Sequence, residues 1–551
     1  MRFSHVNRCQ TSGEICRRRT IYNVALKMNC IVAFLLIMLV VGTSEAARIL
    51  GLFNYPGKSH FIMFEAVMKT LAARGHQVTV YSHFPQPAPV PNYKDVSLVG
   101  SLPILTDAIP LEAYVNSDIY SSLDLFMKLS SDECDKVLQF PAMQELMRSN
   151  ETFDLIFTEV FVTDCMLPFV HKFQAPNIAM RSSAIMPWTS DRFGLPDNPS
   201  YLPIEFGLSS DHMGFFERLS NAWYLVYSKW FHSRYIEVST DAVVMKHFGD
   251  SVPPLADIAK NTSMLFMNTN PALTPPRPLV PAVVEIGGIH LKPAGQLPKD
   301  IQKFMDEAEH GVIYFTFGST VKTQDLPESK RKALLEAFAE LPQRVVWKWE
   351  TDTLPGQPPN VLIRKWLPQY EILSHPKMRL FITHGGLMGA VEAITNGVPL
   401  LGIPLFGDQP VNVQMFVRRG IGLHLAYKEI SKKSVLEAVS TILNDPGYKK
   451  RTEKLGMAFK DTPMTPQETV VYWSEYVIRH RGAPHLRSAA VDLQWYQLLL
   501  LDVIAALLVA FLAVSAAFVF LLRVILRQLG FLKVSSGSTS LGNKSKKTKQ
   551  Q

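Results

Sequence analysis

Apolar and polar positions along this chain fall into two separate strand-and-helix series. The first opens with Arg48 to Phe53 (RILGLF), an apolar run of strand length, followed by the loop Asn54-Tyr55-Pro56-Gly57-Lys58-Ser59. Helical periodicity then runs from about His60 to Ala73, is stopped by Arg74-Gly75, and gives way to a second strand, Val78 to Ser82. Phe153 to Thr158 and Met264 to Asn268 read as further strands, and the proline-rich stretch Pro253 to Pro281 ends the series. The second series opens at Gly311 to Ser319 and continues through a helix, Glu328 to Leu341, and strands at Arg344 to Trp349 and Val361 to Arg364. Leu380 to Thr383 is its next strand; a helix from near Leu387 closes at Asn396-Gly397 before the strand Pro399 to Ile403. Strand, helix, strand at this spacing is the unit of a parallel, doubly wound sheet. The pattern therefore predicts an α/β protein with two Rossmann-like sheets, joined near Lys292-Pro293-Ala294-Gly295 and followed by closing helices at Lys432 to Leu443, Pro446 to Met457 and Glu468 to Arg479.

A third kind of pattern lies outside both series. Val503 to Leu522 is twenty positions without a charge, enough to cross a hydrocarbon core of roughly 30 Å as one helix. Trp495 and Tyr496 precede it, and Arg523, Arg527 and a lysine-rich tail follow, so the tail is expected on the cytoplasmic side. Near the start, Ile31 to Val41 with Lys27 before it and Ser44-Glu45-Ala46 after it has the form of a signal peptide, with Met28 as an alternative initiator and an uncleaved anchor as the rival reading. The expected divisions are 1–47 (extension and signal peptide), 48–290 (first Rossmann-like domain), 291–490 (second, with its closing helices), 498–522 (transmembrane helix) and 523–551 (basic cytosolic tail).

Composition narrows the function classes. The formal charge of +8 is made by the ends: residues 1–27 and 523–551 together carry +12, leaving −4 for the rest, so nothing argues for nucleic acid. Cys134 and Cys165 are the cysteines of the expected lumenal part; one disulfide is open to them, and no Cys/His cluster has metal spacing. Asn150-Glu151-Thr152 and Asn261-Thr262-Ser263 are glycosylation sequons if lumenal.

The chemistry concentrates in Trp366 to Gln409, WLPQYEILSHPKMRLFITHGGLMGAVEAITNGVPLLGIPLFGDQ. A strand feeding a helix through His384-Gly385-Gly386 leaves backbone N–H groups and the positive helix end pointing outward, a seat for an anion. There is no GxGxxG and no GxxxxGK[ST], which removes most support for dehydrogenases and phosphate-loop ATPases. Instead the order is Trp366, Gln369, His384-Gly385-Gly386, Glu392, Asp408-Gln409. This block closely resembles the donor-binding segment of the UDP-glycosyltransferase (UDP-glucuronosyltransferase) family, insect-type membrane-bound members above all, over roughly residues 48 to 527.

The resemblance implies the glycosyltransferase B architecture, two facing Rossmann-like domains, and a role for each position. Trp366 is implied to stack the uracil, Gln369 to fix the nucleoside, and His384 with Gly385 and Gly386 to clamp the diphosphate. Gly318 and Ser319 would contact the same diphosphate, Glu392 would accept the ribose hydroxyls, and Asp408 and Gln409 would read the sugar. The family commonly has Asn where this chain has Met388; a thioether cannot donate to a phosphate, so that contact is either absent or replaced, for example by Ser319. In the family the first histidine after the first strand is the general base, here His60. Its acid partner is Glu159 by the ungapped strand-end pattern, or Asp164 by the insect-type TDC sequence; Asp164 is preferred for its shorter side chain, with Glu159 as the rival.

The expected activity is inverting transfer of glucose or glucuronate from UDP-glucose or UDP-glucuronate to a hydroxyl of a small lipophilic acceptor. No metal and no cofactor beyond the UDP-sugar co-substrate is expected. The alternatives are transfer to a membrane lipid and a non-catalytic UDP-sugar-binding membrane protein. Homo- or hetero-oligomerisation is left open. The expected location is the endoplasmic-reticulum membrane, single-pass type I, with both sheets lumenal.

Overall fold

The first strand series forms a seven-stranded parallel sheet in the order β3-β2-β1-β4-β5-β6-β7. Its strands are β1 (Arg48–Leu52), β2 (Gln77–Ser82), β3 (Tyr93–Ser97), β4 (Leu155–Glu159), β5 (Asn177–Arg181), β6 (Met264–Met267) and β7 (Val283–Glu285). The second series forms a six-stranded parallel sheet, β10-β9-β8-β11-β12-β13. Those strands are β8 (Val312–Thr316), β9 (Arg344–Lys348), β10 (Val361–Arg364), β11 (Met378–Thr383), β12 (Leu400–Gly402) and β13 (Gly422–His424). These relations come from a computed structural model that describes residues 46–531, apart from 107–110, 112–114, 116–117, 206 and 208. The signal-like run and the lysine tail lie outside the described residues.

Both sheets are covered on both faces, which explains their near-continuous apolar strands. In β4 every residue is buried, and in β8 likewise. The Lys58–Ala73 helix shows how a face is covered: Phe61, Phe64, Val67, Met68 and Leu71 recur at helical spacing and are all buried. Each such side chain contributes roughly 1.5–3 kcal/mol on burial. The last helix of the second series, Pro466–Arg479, begins with Thr465 and Glu468 in a reciprocal capping box. It returns to the first sheet, where Val470 and Val477 join the core of Phe64 and Val67, and Glu475 accepts a 3.0 Å hydrogen bond from Arg74 Nε.

Each sheet has one topological switch point, where strand order reverses and the loops above the carboxyl edge diverge to leave a crevice. In the first sheet it lies between β1 and β4, and in the second between β8 and β11. Glu159 ends β4, His60 lies in the first turn of the helix that follows β1, and the loops leaving β8 and β11 carry Gly318-Ser319 and His384-Gly385-Gly386.

A second compact unit begins at Ala489. Its Leu501–Gln528 helix contains an 18-residue stretch with a mean hydropathy of 2.8 and has no buried residue. At 1.5 Å per residue it is roughly 42 Å long, more than a membrane core requires. By length and composition it is a membrane anchor.

Several elements were not evident in the sequence pattern. β3, β5, β7 and β13 are short, and the Phe215–Phe231 helix runs through a π-helical turn, His232–Ile236, into Glu237–Phe248. Cys134, in the Ile119–Gln139 helix, is disulfide-bonded to Cys165, after β4, with the Cα atoms 5.7 Å apart.

Candidate active site

His60 is the third residue of the Lys58–Ala73 helix, whose N-cap is Gly57. The β1–β4 register puts Leu52 beside Thr158, so Glu159, the last residue of β4, comes up next to the loop and helix start that follow β1. His60 Nδ1 and Glu159 Oε1 are 2.5 Å apart, with the carboxylate almost fully buried. A carboxylate on Nδ1 fixes the imidazole's orientation and leaves Nε2 for another group. Tyr55 and Phe161 flank the ring at 4.7 and 4.6 Å between centroids.

Asp164 is not there. Beyond Glu159 the chain turns, and Asp164 forms a buried, two-pronged ion pair with Arg192, whose Nη1 donates to Oδ1 at 2.7 Å. Burial alone would raise the Asp164 carboxyl, but the Arg192 charge and hydrogen bonds override it and hold it below the ordinary range. The preference for Asp164 as the partner of His60 is thereby corrected in favour of Glu159. A strand end has a fixed register with its neighbour, whereas five residues of loop do not.

The second crevice is built by glycines pressed against one histidine. Gly318 has φ +85°, and a Cβ there would lie 2.6 Å from His384 Cε1; a Cβ on Gly386 would lie 2.6 Å from His384 Nε2. Gly385, at φ +89°, is closed off by Val413 in the same way. The imidazole therefore sits between two backbone turns that admit no side chain. Burial, and secondarily the Lys348 charge, lowers its pKa to about 4, so near neutrality it is an uncharged hydrogen-bonding ring. Gly386 is the N-cap of the Leu387–Thr395 helix, which aims its free N–H groups at the same crevice.

Around this seat the nucleoside candidates assemble. Trp366, in the loop after β10, is 59% exposed and offers an open ring face. Gln369 Nε2 donates to Glu392 Oε2 at 2.6 Å, and Tyr314 Oη donates to Gln369 Oε1 at 3.4 Å. Burial pushes the Glu392 carboxyl up to about 7. His290 stands 3.8 Å from Glu392 Oε1 with both ring nitrogens buried and without a hydrogen-bond partner. Its place beside the carboxylate was not foreseen; the signal available was Gly287-Gly288, a turn that brings the inter-sheet linker close.

Met388 is met by Asn268, whose Nδ2 lies 3.0 Å from the thioether sulfur and also donates to Ser182 O. An amide thus arrives at this position from the end of β6 instead of from the helix itself. Asp408 is the N-cap residue of the Gln409–Arg418 helix and accepts from Asn412 Nδ2 at 2.8 Å. Gln409 Oε1 accepts from the backbone N–H groups of Leu405 and Phe406, so this side chain holds the turn that presents Asp408. Asp408 and Asn412 line a cavity with Glu205, Met267 and Thr269 of the first sheet's side, which brings the two crevices together. Gly318 and Gly386 close on His384, Gln369 is bonded to Glu392, and Asn412 ties Asp408 to Gly385 O, while His60 with Glu159 belongs to the crevice of the first sheet. Among the described residues no group of His, Cys, Asp and Glu has the arrangement of a metal site.

A family model described as "UDP-glucoronosyl and UDP-glucosyl transferase" matches residues 105–533. The UDP-glycosyltransferase UGT5 of Dactylopius coccus is 40% identical over 517 residues, 92% of this chain and 97% of that one. UDP-glucosyltransferase 2 of the same organism is 43% identical, covering 90% and 95%, and UDP-glucuronosyltransferase 2B14 of Oryctolagus cuniculus is 32% identical, covering 84% and 89%. Among solved structures, a UDP-glucose: anthocyanidin 3-O-glucosyltransferase in complex with UDP superposes with a TM-score of 0.54 at 18% identity over 79% of this chain and 100% of that one. The calicheamicin glycosyltransferase CalG4 gives 0.53 at 18% identity over 79% and 99%. These likenesses identify the fold as glycosyltransferase B.

Proposed function

The chain belongs to the UDP-glucuronosyl and UDP-glucosyl transferase family, and from that premise we propose that it moves a hexose from a UDP-sugar to a hydroxyl of a small lipophilic acceptor, inverting the anomeric carbon. The observation that carries this reading is the His60–Glu159 pair at one switch point opposite the His384 seat at the other. His60 Nε2 takes the proton of the acceptor hydroxyl as its oxygen attacks C1 from the face away from UDP. Glu159 stabilises the imidazolium that forms. The C1–phosphate oxygen bond breaks, and its electron pair leaves with UDP. The developing phosphate charge is met by Ser319, the His384 ring, the N–H groups after Gly385 and the start of the Leu387–Thr395 helix. These donors strengthen their interaction as charge appears, which is where binding accelerates a reaction. Trp366, Gln369 and Glu392 hold the nucleoside, and Asp408 with Gln409 the sugar.

The protein is anchored by its C-terminal apolar helix. The charge asymmetry around that helix and the signal-like run near Met28 support a lumenal catalytic unit in the endoplasmic reticulum. Full-length protein supplied with a panel of UDP-sugars and one promiscuous phenol tests the activity. From an α-linked donor the product should be a β-glycoside by NMR; an α-glycoside, or UDP binding without transfer to any acceptor, would overturn the mechanism.

A further inference from the structure

β5 ends in Arg181, a side chain only 1% exposed at the carboxyl edge of the first sheet. Its Nε donates to Ala184 O at 2.9 Å, and its Nη2 lies 2.7 Å from both carboxylate oxygens of Glu205. Its Nη1 is buried and has no partner. A buried guanidinium normally satisfies its donors, so an open Nη1 next to Glu205, which lines the inter-sheet cavity, is a donor with capacity to spare.

Three observations place that donor near His60 and Asp408. The guanidinium carbon lies 4.8 Å from the Phe161 ring centroid, and the same ring packs against His60 at 4.6 Å. Glu205, which holds Arg181, lines the inter-sheet cavity together with Asp408. The charges of Arg181 and His60 both act on the Asp408 carboxyl, so the three groups share one low-dielectric space.

Resting on the UDP-hexose reading above, we propose that Arg181 is a donor-sugar residue contributed by the first sheet: Nη1 donates to a hydroxyl of the transferred hexose, while Glu205 cancels the guanidinium charge and so makes the site select a neutral hexose over a uronate. The selectivity follows from charge balance. A uronate carboxylate would enter beside Asp408, Glu205 and Glu159, and the guanidinium that would neutralise it is already paired. Burial pushes the Glu205 carboxyl upward and the Asp408 charge adds to it, while Arg181 and the His60 charge pull it back, leaving it raised. A neutral hexose avoids that penalty and still uses the open N–H.

Calorimetry of the full-length protein with UDP, UDP-glucose and UDP-glucuronate tests this. R181M should weaken UDP-glucose about tenfold and leave UDP unchanged, and R181K, which keeps the charge without the fork, should recover only part of the loss. E205Q frees the guanidinium charge and should raise the turnover ratio of UDP-glucuronate to UDP-glucose at least tenfold. R181M strands Glu205 in a buried site; if that variant fails to bind UDP, the paired R181M/E205M replaces it and should bind UDP normally while losing the UDP-glucose increment. Equal weakening of UDP and UDP-glucose, or an E205Q enzyme with unchanged donor preference, would overturn the proposal. A wild-type protein that does not bind UDP at all would instead overturn the reading on which it rests.

Discussion

His60 Nδ1 and Glu159 Oε1 lie 2.5 Å apart, and the carboxylate that follows five residues later, Asp164, is bound instead to Arg192. The two acids therefore have separable roles. H60A should lower turnover by the roughly 10² to 10⁴ expected for a general base while sparing UDP affinity. E159Q should show a large loss in kcat with an intact fold. D164N should act on stability: breaking a buried pair leaves Arg192 uncompensated, a cost of about 3–5 kcal/mol, so Tm falls while kcat per folded molecule holds. A D164N protein with wild-type Tm and a kcat as low as that of E159Q would reverse the assignment.

The proposed mechanism assigns Trp366 and Asp408 to different parts of the donor. W366A should weaken UDP and UDP-sugar alike, by the roughly 1–3 kcal/mol of a base-stacking contact. D408N should weaken the UDP-sugar and leave UDP alone, because the Gln409 side chain still holds the turn. Calorimetry on both variants with both ligands decides this, and equal loss of UDP in the two would remove Asp408 from the sugar.

Glu392 gives the donor site a pH dependence. Burial raises its carboxyl, the Gln369 hydrogen bond lowers it, Glu371 raises it again and Lys292 lowers it, with a result of about 7. A carboxylate that accepts two ribose hydroxyls binds best when ionised. Affinity for UDP-glucose, whose diphosphate does not titrate in this range, should therefore rise from pH 6 to 8 and level off above. Well below pH 7 it should fall toward tenfold per pH unit. His384 and His290, each lowered to about 4, stay neutral across this window. The unliganded fold behaves oppositely: a raised carboxyl favours folding while protonated, so this contribution is lost as pH climbs from about 4.5 to about 7. The gain in Tm on adding UDP-glucose should accordingly be larger at pH 8 than at pH 6. E392Q should flatten both profiles.

The parts of this site that were legible are the ones sterics dictates. Gly318 and Gly385 sit at positive φ against His384 and Val413, so their identities announce tight turns between strand and helix, and the neighbouring functional positions follow by spacing. Arg181 and Glu205 were not legible. β5 is five residues long, and Glu205 lies in the irregular stretch before the Phe215–Phe231 helix, so their pairing across 24 positions has no periodic trace. That helix was obscured for a related reason: Phe216 and Trp223, 79% and 56% exposed, put apolar residues on its outer face and blur the amphipathic period.

The compartment of the reaction can be tested through Cys134–Cys165 and the sequons. The two cysteines are 31 positions apart, and a loop of that length confers about 3–4 kcal/mol in the chain-entropy account. A bond of this kind persists in an oxidising lumen and is reduced in the cytosol. C134S/C165S should therefore lower Tm without altering UDP affinity, and protein from native membranes should run oxidised when free thiols are blocked before lysis. Asn150 and Asn261 are both exposed on the globular unit and open to lumenal glycosylation. In sealed microsomes, protease should remove only the basic tail, and turnover should rise when detergent admits the charged UDP-sugar. Reduced cysteines in native membranes, glycan on Asn543 in the Asn543-Lys544-Ser545 sequon of the basic tail, or digestion of the sheets in intact vesicles would each place the catalytic unit on the cytosolic side.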